Sequence, residues 1–203
     1  MARVNQGEES ALYMVARVED VVRIPPSLFH LPLKEAALRV LRQKYEGRVD
    51  RELKAIIITV LNVDVEEMGR IIPGDGGTWH RATFDLLLFR PEQNEVVEGR
   101  VVEVVEHGIF VDLGPLDGYI HVSHISQRRV TIDVANGIVI EEGTNRVLRR
   151  NDVVRAKVQA VSFRVRPHQR PRVSLTMRGW LLGKLEWIEE ELKKSGALPE
   201  AKG

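Results

Sequence analysis

The sequence has no cysteine among its 203 residues, few aromatic residues and no long apolar run. Without cysteine, the chain can form no disulfide, no thiol-based catalytic site and no cysteine-ligated zinc site. No segment approaches the roughly 18 apolar residues that are needed to cross a bilayer, and the polar start of the chain lacks the pattern of a signal peptide. We therefore expect a cytoplasmic protein without a membrane segment.

The chain also lacks a charge imbalance, since 30 basic and 29 acidic side chains leave a net charge of +1. Their distribution is uneven, because residues 144–178 carry ten Lys or Arg and a single acidic residue, Asp152. Such a cluster is typical of nucleic-acid-binding surfaces, although a solvated charged surface is the alternative. The basic residues are Arg146, Arg149, Arg150, Arg155, Lys157, Arg164, Arg166, Arg170, Arg172 and Arg178.

No arrangement of residues predicts an active site. Adjacent carboxylates such as Glu66 and Glu67 face opposite sides of a strand and cannot share a substrate proton. His121 and His124 have a spacing found in some metal sites, but no carboxylate or cysteine cluster completes a ligand set. Glycine-rich residues 74–77 precede a strand pattern rather than Lys-Ser/Thr and a helix, so they predict a hairpin connection and not a phosphate loop. We expect a non-enzyme without metal or cofactor.

The first half of the chain has a β-α-β-β pattern, which predicts an α+β domain at residues 1–90 with one main helix on an antiparallel sheet. The helix is amphipathic and lies between Pro32 and Gly47. Residues 1–10 are polar, and we expect them to be disordered. The predicted elements are strands at residues 12–24, 53–65, 68–73 and 78–89 and the helix at residues 33–45.

The second half begins after Arg90-Pro91 and predicts an all-β barrel at residues 95–180, followed by a C-terminal helix and tail at residues 181–203. An insertion at residues 127–150 contains Asn136-Gly137 between two apolar runs, which is a strong hairpin signal. An amphipathic pattern at residues 180–194 predicts the closing helix. The barrel strands are predicted at residues 98–106, 109–113, 118–122, 153–163 and 172–177.

Residues 98–125 are the most informative stretch. Because side chains alternate along a strand, Tyr119 and His121 share one face while Ile120 faces the other. By the same rule Phe110 points away from the apolar Val111. The face that carries Phe110, Tyr119 and His121 suits the stacking of unpaired bases, each contact contributing about 1–3 kcal/mol.

Three motifs here resemble the S1 RNA-binding domain, a five-stranded OB barrel: Gly99-x-Val101, His107-Gly108-x-Phe110-Val111 and Gly118-Tyr119-Ile120-His121-x-Ser123. The family usually has an aromatic residue where this chain has His107, which we expect to alter base contact without abolishing it. A barrel that serves only as a scaffold is the alternative. The predicted RNA-binding residues are His107, Phe110, Tyr119, His121, Arg155, Lys157, Arg164, Arg166 and Arg172.

The layout of the whole chain resembles the larger stalk subunit of archaeal RNA polymerase. This is the E-prime family, which is related to the larger stalk subunit of eukaryotic RNA polymerase II. The resemblance extends over almost the entire sequence. In the first half it is carried by Tyr13, Val21-Val22-Arg23-Ile24-Pro25-Pro26, Tyr45-Glu46-Gly47, Gly69-x-Ile71-Ile72-Pro73-Gly74-Asp75-Gly76 and Arg90-Pro91.

This resemblance implies a non-catalytic subunit of DNA-directed RNA polymerase that supports transcription initiation, elongation and termination. Its expected partners are the smaller stalk subunit, the polymerase core and single-stranded RNA. Two alternatives stay open: an interaction subunit whose barrel never touches RNA, and a free-standing RNA-binding factor of translation or RNA decay. The expected core-docking residues are Gly69, Ile71, Ile72, Pro73 and Gly74.

Overall fold

The computed structural model describes residues 7–10, 12–163 and 171–195. The chain divides into two compact units, Met1–Arg90 and Pro91–Gly203, which we call the first and second units. Among the described residues, no helix is both long and apolar enough to span a membrane.

The first unit is an antiparallel sheet with one helix on one of its faces, which confirms the predicted α+β class. The strand order is β1-β2-β6-β4-β3, with β5 paired to β6. These elements are β1 (Gly7–Ser10), β2 (Tyr13–Ile24), α1 (Leu33–Tyr45), β3 (Val49–Asp50), β4 (Ala55–Val65), β5 (Arg70–Ile71) and β6 (Thr78–Phe89).

Two features of the first unit differ from the sequence-based expectation. Gly7–Ser10 pairs with the start of β2, although residues 1–10 were expected to be disordered; residues 1–6 lie outside the described part. β4 begins at Ala55 rather than at residue 53, because the Asp50 carboxylate accepts hydrogen bonds from the N–H groups of Glu52 and Leu53 at 2.9 Å each. This local turn sets the unpredicted strand β3 beside β4.

The core of the first unit lies between α1 and the sheet. Ala36, Ala37 and Leu41 form the buried stripe of the helix, and Phe84 is buried in the same cluster. Tyr45 closes the end of this core, with its ring centroid 5.3 Å from that of Phe84 and its hydroxyl donating to Asp20 Oδ2 at 2.6 Å. Burial and the bond to Asp20 raise the pKa of the Tyr45 hydroxyl. The helix is thus held on the sheet by apolar burial, by the half-buried contact of Tyr45 with Asp20 and by surface ion pairs such as Lys34–Asp64.

The second unit contains a five-stranded barrel with an added small sheet, as predicted. The barrel order is β14-β9-β8-β7-β13, and pairing of β13 with β14 closes it, while β15 extends the edge of β13. The elements are β7 (Val96–Val105), β8 (Gly108–Asp112), β9 (Asp117–His121), β10 (Val130–Asp133), β11 (Ile138–Glu141), β12 (Val147–Arg149), β13 (Val153–Ser162), β14 (Arg172–Thr176), β15 (Gly183–Lys184) and α2 (Leu185–Lys194).

The end of the second unit corrects the predicted helix. The amphipathic pattern predicted a helix from residue 180, but α2 begins at Leu185. Leu181 and Gly183 have φ values of 58° and 133°, which exclude a helix there, and Gly183 pairs with Arg155 of β13. The insertion forms the predicted hairpin of β10 and β11, and it adds an unpredicted third strand, β12.

We expect the Leu41→Ala variant to lower the free energy of unfolding of the first unit by about 2–5 kcal/mol, because it leaves a cavity in a fully buried site. Hydrogen exchange of the β6 amides measures this unit separately. Arg39→Ala, on the exposed side of the same helix, is the matched control and should change stability by less than about 0.5 kcal/mol. Equal effects of both variants would contradict this packing.

Candidate nucleic-acid interface and tip loop

The outer surface of β8 and β9 carries three ring-bearing side chains, Phe110, Tyr119 and His121, which we call the aromatic face. Phe110 and Tyr119 are directly opposed in the sheet, and their ring centroids are 5.1 Å apart. His121 follows on the same side of β9, with its ring centroid 6.5 Å from that of Tyr119. Phe110 and Tyr119 are half-buried and His121 is exposed. The predicted alternation therefore produces a continuous row of rings that is open to solvent.

Tyr119 is fixed in this row by a hydrogen bond from its hydroxyl to the backbone carbonyl of His107 at 2.9 Å. Gly108 makes the contact possible, since a Cβ at this position would lie 2.8 Å from the Tyr119 hydroxyl and 2.2 Å from the Ile120 carbonyl oxygen. The His107 side chain is itself exposed at the turn between β7 and β8. His107 therefore contributes its carbonyl to the arrangement, while its exposed ring has Nε2 4.0 Å from Glu106 Oε2.

The His121 ring is oriented by Ser123. The backbone N–H of Ser123 donates to Nδ1 of His121 at 3.2 Å, and the Ser123 hydroxyl lies 2.8 Å from the same nitrogen. Because Nδ1 accepts a backbone hydrogen bond, the neutral ring carries its proton on Nε2. This leaves Nε2–H as a donor toward solvent, suited to a base or phosphate oxygen.

Two of the predicted cations lie close to the aromatic face by strand register. Ser174 of β14 pairs with Tyr119, which places Arg172, two residues earlier, on the same outer surface. Lys157 of β13 pairs with Thr176, the next outward position of β14. Neither Lys157 nor Arg172 has an ion-pair partner within the described part of the chain. These are the cations that the fold brings to the rings.

Other members of the basic cluster are placed elsewhere. Arg155 lies on β13 but pairs with Glu98 of β7 at 2.8 Å, and Arg146 pairs with Glu191 at 2.8 Å. The seven described cations of this cluster therefore do not form one basic stripe, because part of their charge is neutralised locally. Arg164 and Arg166 lie outside the described residues.

Sequence reasoning missed the acidic side chains beside the rings. Glu103 of β7 is directly opposite Phe110, and Asp117 of β9 opposes Asp112 of β8. Only the pairing register, which the sequence does not reveal, shows these neighbours. Within the described residues, no group of three or more His, Asp or Glu could hold a metal ion.

Residues 68–77 of the first unit form a protruding segment, the tip loop. Its apolar side chains are exposed to solvent: Met68 is 86%, Ile71 75% and Ile72 47% exposed. Ile71 pairs with Thr78 in the short β5–β6 ladder, and the N–H of Asp75 donates to the Ile72 carbonyl at 2.9 Å. Gly74 has a φ of 86°. Exposed Pro73 separates Ile72 from this glycine, so the predicted docking residues lie together on one ordered loop.

Asp75 fixes the C-terminal end of the tip loop. Its carboxylate accepts hydrogen bonds from the Arg23 guanidinium, with Nε at 2.8 Å from Oδ2, from the Gly77 N–H at 3.0 Å and from the Trp79 indole N–H at 2.9 Å. The bond from Arg23 is the main reason that the pKa of the Asp75 carboxyl is well below its usual range. The loop is thereby joined to β2 and β6 by an ionised carboxylate.

His80 fixes the other end, and it was not predicted. Its side chain is only 6% exposed, with Nδ1 donating to the Glu66 carbonyl at 2.9 Å and Nε2 within 3.0 Å of the Thr78 hydroxyl. Gly69 packs against the ring, because a Cβ there would lie 2.5 Å from the His80 Cε1 atom. The only sequence signal was a histidine at a core-facing position of β6, in alternation with Ala82.

We expect Gly69→Ala to displace the tip loop and destabilise the first unit by about 1–3 kcal/mol, because the added methyl group removes the hydrogen bonds of a buried ring. Thermal unfolding and the NMR signals of the His80 ring measure the two effects. Gly76→Ala is the control, since its Cβ would make only an ordinary 3.4 Å contact with Pro26. If both variants behave alike, His80 does not pack on residue 69 in solution.

Comparison with protein families supports both units. Residues 19–76 match the family described as the SHS2 domain found in the N terminus of Rpb7p/Rpc25p/MJ0397. Residues 90–167 match the S1 RNA binding domain. The second match confirms the barrel type that the motifs around Gly108 and Gly118 predicted.

Relatives that align over most of the chain identify its family more specifically than the two domain matches do. The chain is 41% identical over 182 residues to DNA-directed RNA polymerase subunit Rpo7 of Saccharolobus shibatae, covering 90% of this chain and 100% of the relative. It is 35% identical over 184 residues to subunit Rpo7 of Sulfolobus acidocaldarius, covering 91% and 99%. It is 26% identical over 141 residues to DNA-directed RNA polymerase II subunit RPB7 of Saccharomyces cerevisiae, covering 68% and 81%. The chain therefore belongs to the Rpo7 family of DNA-directed RNA polymerase subunits, a non-catalytic family related to Rpb7 and Rpc8.

Proposed function

We propose that this chain is the larger stalk subunit of an RNA polymerase, docking to the core through residues 1–90 and holding the emerging transcript on the barrel at residues 95–180. Alignment over the full length of an Rpo7 relative is the observation that carries this proposal. In this role the chain catalyses no step itself. It acts in initiation, elongation and termination by positioning the stalk and the RNA.

The aromatic face supports RNA binding of low sequence selectivity. Rings stack on any base, and each contact contributes about 1–3 kcal/mol. Phe110, Tyr119 and His121 offer such surfaces in one row, with Lys157 and Arg172 near enough to meet phosphates. The neighbouring Glu103 limits the electrostatic attraction. We therefore assign the transcript to this row and not to Arg155, whose charge is paired with Glu98.

The tip loop supports docking to the polymerase core. A few well-ordered apolar side chains carry most of the binding energy of a protein interface, and Ile71 and Ile72 are exposed on a loop that is fixed at both ends. Preorganisation reduces the entropy that docking must remove. We assign the core contact to this loop, with Gly69 and Gly74 setting its shape and Pro73 stiffening it.

The smaller stalk subunit requires a further apolar surface. On the side of the first-unit sheet opposite α1, β2 exposes Tyr13, Val15 and Val21. Solvent-exposed apolar residues that cluster on one face mark interaction sites. We assign the smaller subunit to this face, which is separate from the tip loop along the sequence.

We expect the Phe110→Ala/His121→Ala double variant to bind single-stranded RNA at least about tenfold more weakly, because it removes two stacking surfaces. Fluorescence anisotropy with a labelled oligonucleotide at fixed salt measures this. Val134→Ala, at an exposed apolar position in the turn between β10 and β11, is the control and should bind as the wild type does. Unchanged affinity of the double variant would reject the aromatic face, and absence of binding by the wild type would leave a barrel that serves only as a scaffold.

We expect Ile72→Asp to abolish co-purification of the tagged full-length chain with the polymerase core, since docking would bury an unpaired carboxylate. Val134→Asp places the same charge at a similarly exposed position, 51% against 47%, and should not affect co-purification. Retention of the core by the Ile72→Asp variant would refute the docking loop. Recovery of ribosomal or nuclease components by the wild type, in place of polymerase subunits, would favour a free-standing factor of translation or RNA decay.

A further inference from the structure

A shallow polar cavity of about 510 Å³ lies on the second unit, where β13 and β14 meet the turn that precedes β7. It is formed entirely within this unit and does not include the aromatic face. The polar side chains around it come from four separate segments of the chain: Gln93, Asn94, His124, Lys157, Gln159 and Arg178.

The charge of this cavity is of one sign. Lys157 and Arg178 line it, and no carboxylate among residues 12–163 and 171–195 does. Lys157 has no hydrogen-bond or ion-pair partner among the described residues. Arg178 uses Nε to donate to the Ser126 carbonyl at 2.7 Å, which fixes the guanidinium while its terminal N–H groups stay available. The net charge of the whole chain is nearly zero, but the charged side chains that line this cavity are both positive. The local positive potential therefore favours an anion.

The remaining lining groups are polar and are held in place by contacts with one another and with β13. Gln159 Nε2 lies 3.4 Å from Nδ1 of His124, so the amide and the ring are side by side. The N–H of Asn94 donates to the Val158 carbonyl at 2.8 Å, and the Val158 N–H donates to the Glu95 carbonyl at 2.8 Å. This pair of bonds holds the turn of Asn94 against β13, so the cavity is shaped by backbone contacts.

The cavity lies near the aromatic face, as the strand register shows. Lys157 pairs with Thr176, and Thr176 lies two residues beyond Ser174, which pairs with Tyr119. Lys157 is therefore two strands from His121, a separation of about 10 Å at the usual strand spacing. Single-stranded nucleic acid occupies about 4–16 nucleotides on an OB barrel, so one strand can reach both places.

We propose that this cavity is a phosphate-binding subsite for the RNA strand whose bases stack on the aromatic face. The inference rests on the proposed RNA-binding function and adds His124, Gln159, Arg178 and the Asn94 turn to the surface that contacts RNA. The ligand is a backbone phosphodiester, held by two cations and neutral donors. An acidic protein segment has the same charge, but proximity to the row of rings favours the nucleic acid.

The test is the salt dependence of RNA binding by the full-length chain. For single strands, the slope of log affinity against log salt concentration changes by about 0.7 for each phosphate contact. With a labelled ten-nucleotide RNA, Lys157→Gln should reduce the slope by about 0.7 and the affinity at low salt by about tenfold. Lys157→Gln/Arg178→Gln should reduce the slope by about 1.4, and Lys157→Arg should restore most of the binding.

Two control variants separate this subsite from the rest of the surface. Arg150→Gln removes one charge from an exposed turn outside the cavity and should leave the slope unchanged. Phe110→Ala should lower the affinity but keep the slope, because it removes a stacking contact and no charge. Thermal unfolding confirms that each variant is folded, and the NMR signal of the His124 ring should shift when RNA is added to the wild type.

The outcomes distinguish the two proposals. If Lys157→Gln behaves like Arg150→Gln while the wild type binds RNA, the cavity is not a phosphate site and the aromatic face stands. An unmoved His124 signal at saturating RNA leads to the same conclusion. If the wild type binds no RNA, the RNA-binding function itself fails, and the subsite with it.

Discussion

Closure of the barrel through β14 is the constraint on which the proposed nucleic-acid surface depends. This strand pairs in parallel with β9 and antiparallel with β13, so it joins the strand that carries Tyr119 and His121 to the strand that carries Lys157. Without β14, Tyr119 and His121 on β9 and Lys157 on β13 would lie on opposite edges of an open sheet. The position of every outward side chain in this region therefore follows from two pairing registers.

This dependence explains how far the sequence could predict the interface. Alternation within a single strand was enough to identify Phe110, Tyr119 and His121, because it is a local property. Alternation could not distinguish the ion-paired Arg155 from Lys157, because the two residues lie two positions apart on the same face of β13. Glu98 neutralises Arg155, whereas Lys157 has no ion-pair partner among the described residues. A partner 57 residues away is visible only once β7 and β13 are paired.

The same distinction between local and distant signals holds for the fold. Pro32 and Gly47 bound α1 through chemistry within the helix termini, and its predicted range agrees with the structure. The pattern from residue 180 was equally helical, but pairing of Gly183 with Arg155 overrides it. His80 and Asp75 were missed as supports of the tip loop for a related reason. His80 donates to the Glu66 carbonyl, 14 residues earlier, and Asp75 accepts from Arg23, 52 residues earlier, so no local pattern shows either contact.

The two proposed contact surfaces differ in physical character, and the difference fits their separate roles. The tip loop presents apolar side chains from a frame held by His80 and Asp75, which suits a long-lived contact with one defined pocket. The aromatic face consists of half-exposed rings. Its neighbours are Glu103 and two cations without an ion-pair partner among the described residues, so no strong electrostatic field concentrates on it. Stacking tolerates any base, and a modest charge allows a strand to move on. In the proposed role, a stalk subunit that stays on its polymerase while a growing transcript passes needs both kinds of surface, a tightly bound one on the first unit and a weakly selective one on the second.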